Sequence, residues 1–328
     1  TALALALGDE KFDYYAQLFE SMGGLHYQLP TLLADWALRS EEDVKGLVAV
    51  VQDVLPYVES ALEYTKEQQA RGLLMIDFDE VLGYCRGVLE SGEDSAVLSA
   101  MNGSIDALGL APEKAEEYKR QLKDAFTTSF LPAYGQMVSV LEELQASGTN
   151  NEKGLAAFEH GREYYELLMQ ASTGSDKTVE EVRTMMERAM QRHIFRLQEV
   201  LMEAPDTLYA LYGELPATGY DSYEAILDDI QSRMFEDFPE VSGLAYDIFD
   251  LDEEIASTSG ITAYFNIPTL DGEAVRQLRV NPLTNDVSSI ATYSTVAHEG
   301  FPGHMYQYAY LYENVSSPWR KALADCPA

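Results

Sequence analysis

Apolar residues recur at helical spacing from Lys11 to about Glu203, and this periodicity limits most of the chain to an α-helical fold. In one segment the apolar positions are Val44, Leu47, Val48 and Val51, which share one face of a helix with about 3.6 residues per turn. Similar stripes return between prolines and short polar stretches. We therefore predict a mainly α protein, an elongated multi-helix scaffold whose helices pack through these stripes.

Capping signals and prolines predict where individual helices begin and end. Ser40 precedes three acidic residues, and Thr178 precedes Glu181 by three positions, so both are predicted N-caps. Pro56 predicts a kink or the start of a new helix, because proline cannot donate a backbone hydrogen bond.

Two apolar stripes near the ends of this region lead to further predictions. The first amphipathic helix is predicted from Phe12, Tyr15, Leu18 and Phe19. A core-facing side of the last long helix is predicted from Met185, Met186, Met190 and Leu197, because methionine commonly fills irregular gaps in a core.

The sequence changes in character after Pro239. Two strands are predicted, at Thr262–Asn266 and Ala274–Val280. Between them, Asp271–Gly272 predicts a hairpin turn. We therefore expect a small β-hairpin or edge-strand element beside the next helix. The predicted division is a helical scaffold region at residues 1–238 and a second region at 239–328, packed as one unit.

Two histidines and a glutamate occur within seven residues near the C-terminus, in the segment His298-Glu-Gly-Phe-Pro-Gly-His304. A helix is predicted to lead into it, with Ile290, Tyr293 and Val296 at helical spacing and candidate caps at Asn285, Asp286, Ser288 and Ser289. The histidines are six residues apart, so their rings would diverge by roughly 240° on an unbroken helix.

Pro302 and Gly303 change this expectation. Pro302 has no N–H to donate to the carbonyl of His298, four residues earlier, and Gly303 tolerates backbone angles that other residues avoid. We therefore predict a helix that is bulged or broken here, with both rings turned toward a common point. The alternative is a helix that simply ends in a Pro-Gly turn near two polar histidines.

The motif has a recognisable chemistry and a family resemblance. Neutral imidazoles ligate Zn²⁺, and a neighbouring carboxylate can take a proton from water. The string Thr295-Val-Ala-His-Glu-Gly-Phe-Pro-Gly-His-Met-Tyr-Gln307 resembles the signature of the bacterial "domain of unknown function 885" family. Its members are regarded as zinc metallopeptidases related to the gluzincins, the thermolysin-like clan. Gly161–Tyr165, Thr173–Ser175 and Thr178–Glu181 resemble the family's middle block.

The resemblance implies one zinc ion held by His298 and His304, with Glu299 as the general base. Gluzincins take a third ligand from a later glutamate, which this family has in a Glu-Gly-Trp block, and no such block follows here. Glu313 would lie about 180° around a continuous helix from His304, pointing away. We therefore expect the third ligand beyond Ala328, in a longer protein of which residues 239–328 are the N-terminal, incomplete part of the catalytic region.

Substrate-binding residues are also implied by the resemblance. The strand pair resembles the gluzincin edge strand that holds an extended peptide by main-chain hydrogen bonds, which makes Tyr264 and Asn266 candidates. Tyr164 and Tyr165 would line the cleft, or else pack in a core. His160 is a further possible ligand, weighed against a capping or exposed residue.

Charge and cysteine content exclude several classes of function. A formal net charge of −33 argues against nucleic acid as a partner, because phosphate binding requires clustered Lys and Arg. No apolar run reaches the length of a membrane span. The two cysteines, Cys85 and Cys326, exclude a disulfide framework, and Cys85 is predicted to be a packed, inert thiol.

Two functions remain. The first is a zinc-dependent metallopeptidase acting on a peptide or small amide, of which residues 1–328 alone are expected to be an incomplete and inactive part. The second is a non-catalytic surface, scaffold or binding protein with a degenerate metal site. The resemblance favours export, as a secreted or lipoprotein-anchored bacterial protein. The sequence leaves the oligomeric state open.

Overall fold

The computed structural model describes residues 6–21, 23–36, 38–206, 210, 213, 215, 217–251, 256, 261–267, 275–283 and 286–322. The described chain is mainly helical with a small three-stranded sheet, which confirms the predicted fold class. It divides into two compact units, residues 1–192 and 193–328. Among the described helices, none combines the length and apolarity needed to cross a membrane.

The first unit is built from helices. Their bounds are Leu25–Ala34 (α1), Glu41–Ala70 (α2), Phe78–Ser91 (α3), Ala96–Ala107 (α4), Pro112–Ala125 (α5), Leu131–Ala146 (α6), Gly161–Thr173 (α7) and Val179–Glu203 (α8), the last of which continues past residue 192. A π-helical turn, Phe126–Phe130, joins α5 to α6. The predicted caps are confirmed, because the Ser40 hydroxyl accepts from the Asp43 amide and the Thr178 hydroxyl from the Glu181 amide.

The second unit combines helices with the sheet. Its elements are Tyr223–Met234 (α9), Tyr246–Asp250 (β1), Ala263–Asn266 (β2), Arg276–Val280 (β3), Ile290–Glu299 (α10), His304–Asn314 (α11) and Pro318–Ala322 (α12). The strand order is β1-β3-β2, with β1 parallel and β2 antiparallel to β3. The two predicted strands are confirmed, whereas β1 was not predicted. The predicted Asp271–Gly272 turn, Asn285 and Cys326 lie outside the described residues.

The observed division falls within α8, earlier than the predicted boundary after residue 238. The reason is that α9, which precedes position 238, belongs to the second core. Ile226 and Leu227 of α9 are fully buried there together with Val296 of α10 and Phe301. The assignment of the second region to a catalytic role stays a prediction.

A serine hydroxyl allows α2 to continue through Pro56. The helix is unbroken from Glu41 to Ala70, although Pro56 cannot donate to the carbonyl of Gln52, four residues earlier. The Ser129 hydroxyl, from the π-helical turn, donates to that carbonyl at 2.9 Å and accepts from the Leu55 amide at 2.9 Å. A residue far along the chain therefore satisfies the carbonyl that Pro56 leaves without its helix partner, and the same hydroxyl also bonds the Leu55 amide.

The first apolar stripe does not form the predicted helix. Phe12 ends a short 3₁₀ helix, Glu10–Phe12, and the following residues are irregular. Tyr14 adopts a left-handed backbone conformation with φ 69°, which interrupts a right-handed helix. Phe12, Tyr15 and Phe19 are nevertheless buried, so their burial was predicted and their secondary structure was not.

The methionine stripe of α8 is exposed rather than packed, so the prediction of a core-facing side is wrong. No described side chain of α8 is buried, and Met186 is 65% exposed. Periodicity shows that a helix has an apolar side, but it does not show whether another element covers that side. Cys85 behaves as predicted, since it is fully buried and burial raises the pKa of its thiol to about 12.

Replacing Ser129 with alanine is expected to destabilise the first unit. Ser129→Ala leaves the Gln52 carbonyl and the Leu55 amide without this partner at a site that is only partly buried, and an ordinary hydrogen bond of this kind contributes about 0.5–1.5 kcal/mol to stability. The free energy of unfolding can be measured by urea titration, using circular dichroism and the fluorescence of Trp36, which packs against this core.

Two further variants test the cause of this loss. Thr128→Ala, in the same π-helical turn, removes an exposed hydroxyl and should change stability by less than about 0.5 kcal/mol. Pro56→Ala supplies an N–H to the Gln52 carbonyl, so it should recover part of the stability lost in Ser129→Ala. If the double variant is as unstable as Ser129→Ala alone, the hydroxyl does not substitute for the missing helix bond.

Candidate metal centre

The helix that leads into the histidine motif breaks between the two histidines, as predicted. Helix α10 begins after Ser289, whose hydroxyl accepts from the Thr292 amide, and ends at Glu299. Helix α11 begins at His304. The Phe301–Pro302 peptide bond between them is cis. The break replaces an unbroken helix, on which the two rings would point apart, with two helices whose ends meet.

Glycines at two positions make this tight turn possible. A Cβ atom on Gly303 would overlap the carbonyl oxygen of His298, and one on Gly300 would lie 2.5 Å from a side-chain carbon of Leu227. Phe301 is fully buried, and its ring packs edge-on against Tyr246 with the centroids 5.4 Å apart. The turn is therefore fixed by backbone contact on one side and by the core of the second unit on the other.

The break brings together the three side chains of the motif that were predicted to be functional. The ring centroids of His298 and His304 are 4.9 Å apart. One ligand atom from each of His298, Glu299 and His304 lies within 4.8 Å of the other two. We call these three residues the His-Glu-His cluster. Among the described residues it is the one group of His, Cys, Asp and Glu side chains this close together.

Glu299 is held in place by the main chain of the sheet. Its Oε2 accepts a hydrogen bond of 3.0 Å from the Phe265 amide in β2, while its Oε1 lies 3.8 Å from Nε2 of His298. The Glu299 side chain is 15% exposed and that of His298 is 52% exposed. Oε2 of Glu299 is therefore hydrogen-bonded to β2, and Oε1 faces His298.

The neighbouring tyrosines provide packing rather than charge. Burial, with smaller contributions from Asp228 and Glu224, raises the pKa of Tyr246 to about 12. Burial also raises the pKa of Tyr306. Both phenols therefore stay protonated at neutral pH.

Along the edge strand β2, the main-chain N–H and C=O groups of successive residues point alternately toward β3 and away from it. The Asn281 amide donates to the Thr262 carbonyl, whereas the Phe265 amide points away from β3 to Glu299. Alternation in an antiparallel pair then directs the main-chain groups of Tyr264 and Asn266 toward β3. The side chain of Asn266 is in reach of Gln277 on β3, at 3.5 Å.

The remaining residues considered in the sequence analysis are not members of the His-Glu-His cluster. Tyr164 packs in the first unit against Phe12 and Tyr15, with ring centroids 5.2 Å from each. Tyr165 is exposed in the same unit. His160 is the N-terminal boundary residue of α7, and its side chain makes no cap hydrogen bond there. Glu313 accepts hydrogen bonds from the amide and hydroxyl of Ser242 and is not part of the His-Glu-His cluster.

A cleft lies beside the cluster, and apart from the two histidines its described lining residues were not predicted from the sequence. It has a volume of about 500 Å³, and both histidines line it together with Phe238, Pro302, Tyr306 and Tyr310. Tyr306 and Tyr310 are close to His304 in the sequence, so their helical spacing was an available signal. Phe238 comes from a distant segment that carried no such signal.

These features define a class of protein, a mainly helical chain with a broken-helix His-Glu-His cluster beside a small sheet. The chain belongs to the family described as "Bacterial protein of unknown function (DUF885)", whose model matches residues 1–326. The resemblance noted in the sequence is therefore confirmed at the level of the family.

A solved structure has the same fold. The chain is similar to "the putative lipoprotein from Colwellia psychrerythraea", with a TM-score of 0.77 and 17% sequence identity. The similarity covers 93% of this chain and 56% of that one, so this chain spans little more than half the length of its relative. No curated protein matches the chain.

Replacing Gly303 with alanine should disturb the turn and separate the histidine rings. The new Cβ cannot be accommodated without moving the His298 carbonyl, and such overpacking typically costs about 1–3 kcal/mol. Urea unfolding followed by circular dichroism gives the stability, and NMR of the imidazole protons reports the ring environments. Gly243→Ala, where a Cβ meets nothing within 4 Å, is the matched control. Unchanged stability and unchanged imidazole signals in Gly303→Ala would contradict the proposed role of this glycine.

Proposed function

We propose that the protein is a zinc-dependent metallopeptidase whose metal is held by His298 and His304. The proposal rests on one observation, the approach of the His298, Glu299 and His304 ligand atoms to within 4.8 Å of one another. The description of the family whose model matches the chain does not name a function. The peptidase activity is therefore our inference from the side chains in the cluster.

The donor set is suitable for zinc. Two imidazoles and a nearby carboxylate are the groups that zinc hydrolases use, commonly with a third protein ligand and an open position. The exposure of His298 leaves room for a substrate to approach. When bound, a zinc ion would acidify a water molecule and polarise a peptide carbonyl.

Glu299 would move the proton. Its Oε1 is the oxygen not bonded to Phe265, so it accepts a proton from the attacking water as the oxygen of that water bonds to the peptide carbonyl carbon. The same oxygen then gives the proton to the departing amine as the C–N bond breaks. The Phe265 amide keeps the carboxylate oriented through both transfers.

The edge of β2 would guide an extended peptide. It has fewer free main-chain hydrogen-bonding groups than the gluzincin resemblance implies. The outward amide of Phe265 is already used by Glu299. A peptide along this edge would therefore meet the outward main chain of Ala263 and the Phe265 carbonyl. Tyr264 and Asn266 would contribute through their side chains.

Glu299→Gln in the native full-length protein tests the peptidase proposal. We expect stoichiometric zinc by elemental analysis together with a loss of about 10²–10⁴-fold in kcat on a peptide library, because the amide cannot accept the proton. The amide oxygen can still accept from Phe265, so the fold should persist. His298→Ala should lose the metal itself.

Glu313→Gln is the matched control, since Glu313 binds Ser242 rather than the His-Glu-His cluster. It should retain both zinc and turnover. Full turnover by Glu299→Gln would overturn the assignment of Glu299 as the base.

The cluster also supports a second function, a non-catalytic metal-binding protein. The described residues supply two imidazoles and one carboxylate in this cluster. If Glu299 itself ligates the ion, no acidic side chain of the cluster remains to act as a base. In that case zinc affinity falls in Glu299→Gln, and the native protein cleaves no peptide.

An extracytoplasmic location is part of the proposal. It is supported by the description of the structural relative as a "putative lipoprotein". Fractionation of the native bacterium should find the protein outside the cytoplasm, and recovery in the cytosolic fraction alone would exclude this location.

A further inference from the structure

The cleft beside the His-Glu-His cluster has the size and surface of a side-chain pocket. Its volume of about 500 Å³ lies within the range of pockets that bind small ligands, about 300–1,000 Å³. His298 and His304 form part of its wall. A group bound in the cleft is therefore next to the proposed reaction centre.

Aromatic rings form much of the remaining wall, and one of them is firmly held. Tyr306 is only 6% exposed, and its hydroxyl donates to the Pro239 carbonyl at 2.7 Å. Phe238 packs edge-on against the Tyr306 ring, with the centroids 5.7 Å apart. Because the tyrosine hydroxyl is already paired, this wall presents mainly ring carbon to a ligand.

Two aromatic residues at the opening remain accessible. Phe238 is 40% exposed and Tyr310 is 39% exposed. Burial of such apolar surface by a ligand is favourable. Ring–ring contact with an aromatic ligand adds to this.

Apart from the histidines, the described lining of the cleft offers no ionisable side chain that could form an ion pair with a charged ligand group. None of these residues is Asp, Glu, Lys or Arg, and the neutral polar side chains among them are Tyr306, Gln307 and Tyr310. A charged side chain placed here would lose water without gaining an ion pair, which costs free energy.

We propose that this cleft binds an aromatic or large aliphatic side chain of the substrate, adjacent to the bond that is cleaved. The inference rests on the proposed peptidase function and adds its substrate class. Tyr310 and Phe238 act as specificity-determining residues at the opening, with Tyr306 as the fixed wall.

A peptide series with one varied residue provides the test. In the native protein, kcat/KM is compared for peptides with Phe, Leu, Ala, Asp or Lys at each position flanking the cleaved bond. Phe and Leu should exceed Asp and Lys by at least about 10-fold at one position. Tyr310→Arg should lower the Phe-to-Asp ratio by about 10-fold, because it replaces ring surface with a charge that pairs with aspartate.

Control variants separate a pocket effect from a general effect of charge. Tyr57→Arg places the same change on an exposed tyrosine of the first unit and should leave the ratio unchanged. Tyr310→Phe keeps the ring and should also preserve it. Phe238→Arg provides an independent second change at the cleft opening.

A binding measurement distinguishes failure of this inference from failure of the peptidase proposal. Saturation-transfer NMR on metal-free protein compares N-acetyl-phenylalanine amide with N-acetyl-aspartate amide. Phenylalanine binding that is lost in Tyr310→Arg supports the pocket, even if no peptide is cleaved. Cleavage without side-chain preference, unaltered by Tyr310→Arg, overturns the pocket and leaves the peptidase proposal standing.

Discussion

The geometry of the candidate metal centre depends on the close approach of the Gly303 backbone to the carbonyl of His298. Only a residue without a side chain fits at this point, and the approach is what folds the chain back so that His304 returns toward His298. The turn is also anchored, because Phe301 is buried against Tyr246. The backbone positions of the two histidines are therefore set by backbone contact and core packing.

The sheet contributes to the same centre in a different way. Glu299 is the last residue of α10, and the amide of Phe265 in β2 binds its carboxylate. Any movement of this edge strand would therefore reach the carboxylate directly. In the proposed peptidase, a peptide beside this strand would lie close to the carboxylate, so substrate position and proton transfer would be linked through one strand.

The sequence predicted features whose causes are local. The break between His298 and His304 could be predicted because proline lacks an amide hydrogen and glycine lacks a side chain, and both effects act within a few residues. Ser40 and Thr178 were predictable caps for the same reason. The continuation of α2 through Pro56 was not predictable, because its cause is a hydroxyl at position 129. The cleft likewise required Phe238, which the motif does not indicate.

Position 129 also has a consequence for the order of folding. Gln52 and Ser129 are 77 residues apart in the chain, so the hydrogen bonds between Ser129 and α2 cannot form during synthesis until the π-helical turn has left the ribosome. Contacts of such long sequence separation slow folding, since the intervening chain must first lose conformational entropy. Until then the Gln52 carbonyl lacks the partner that Pro56 cannot supply, and the hydrogen bonding of α2 is completed only when a distant residue has been synthesised.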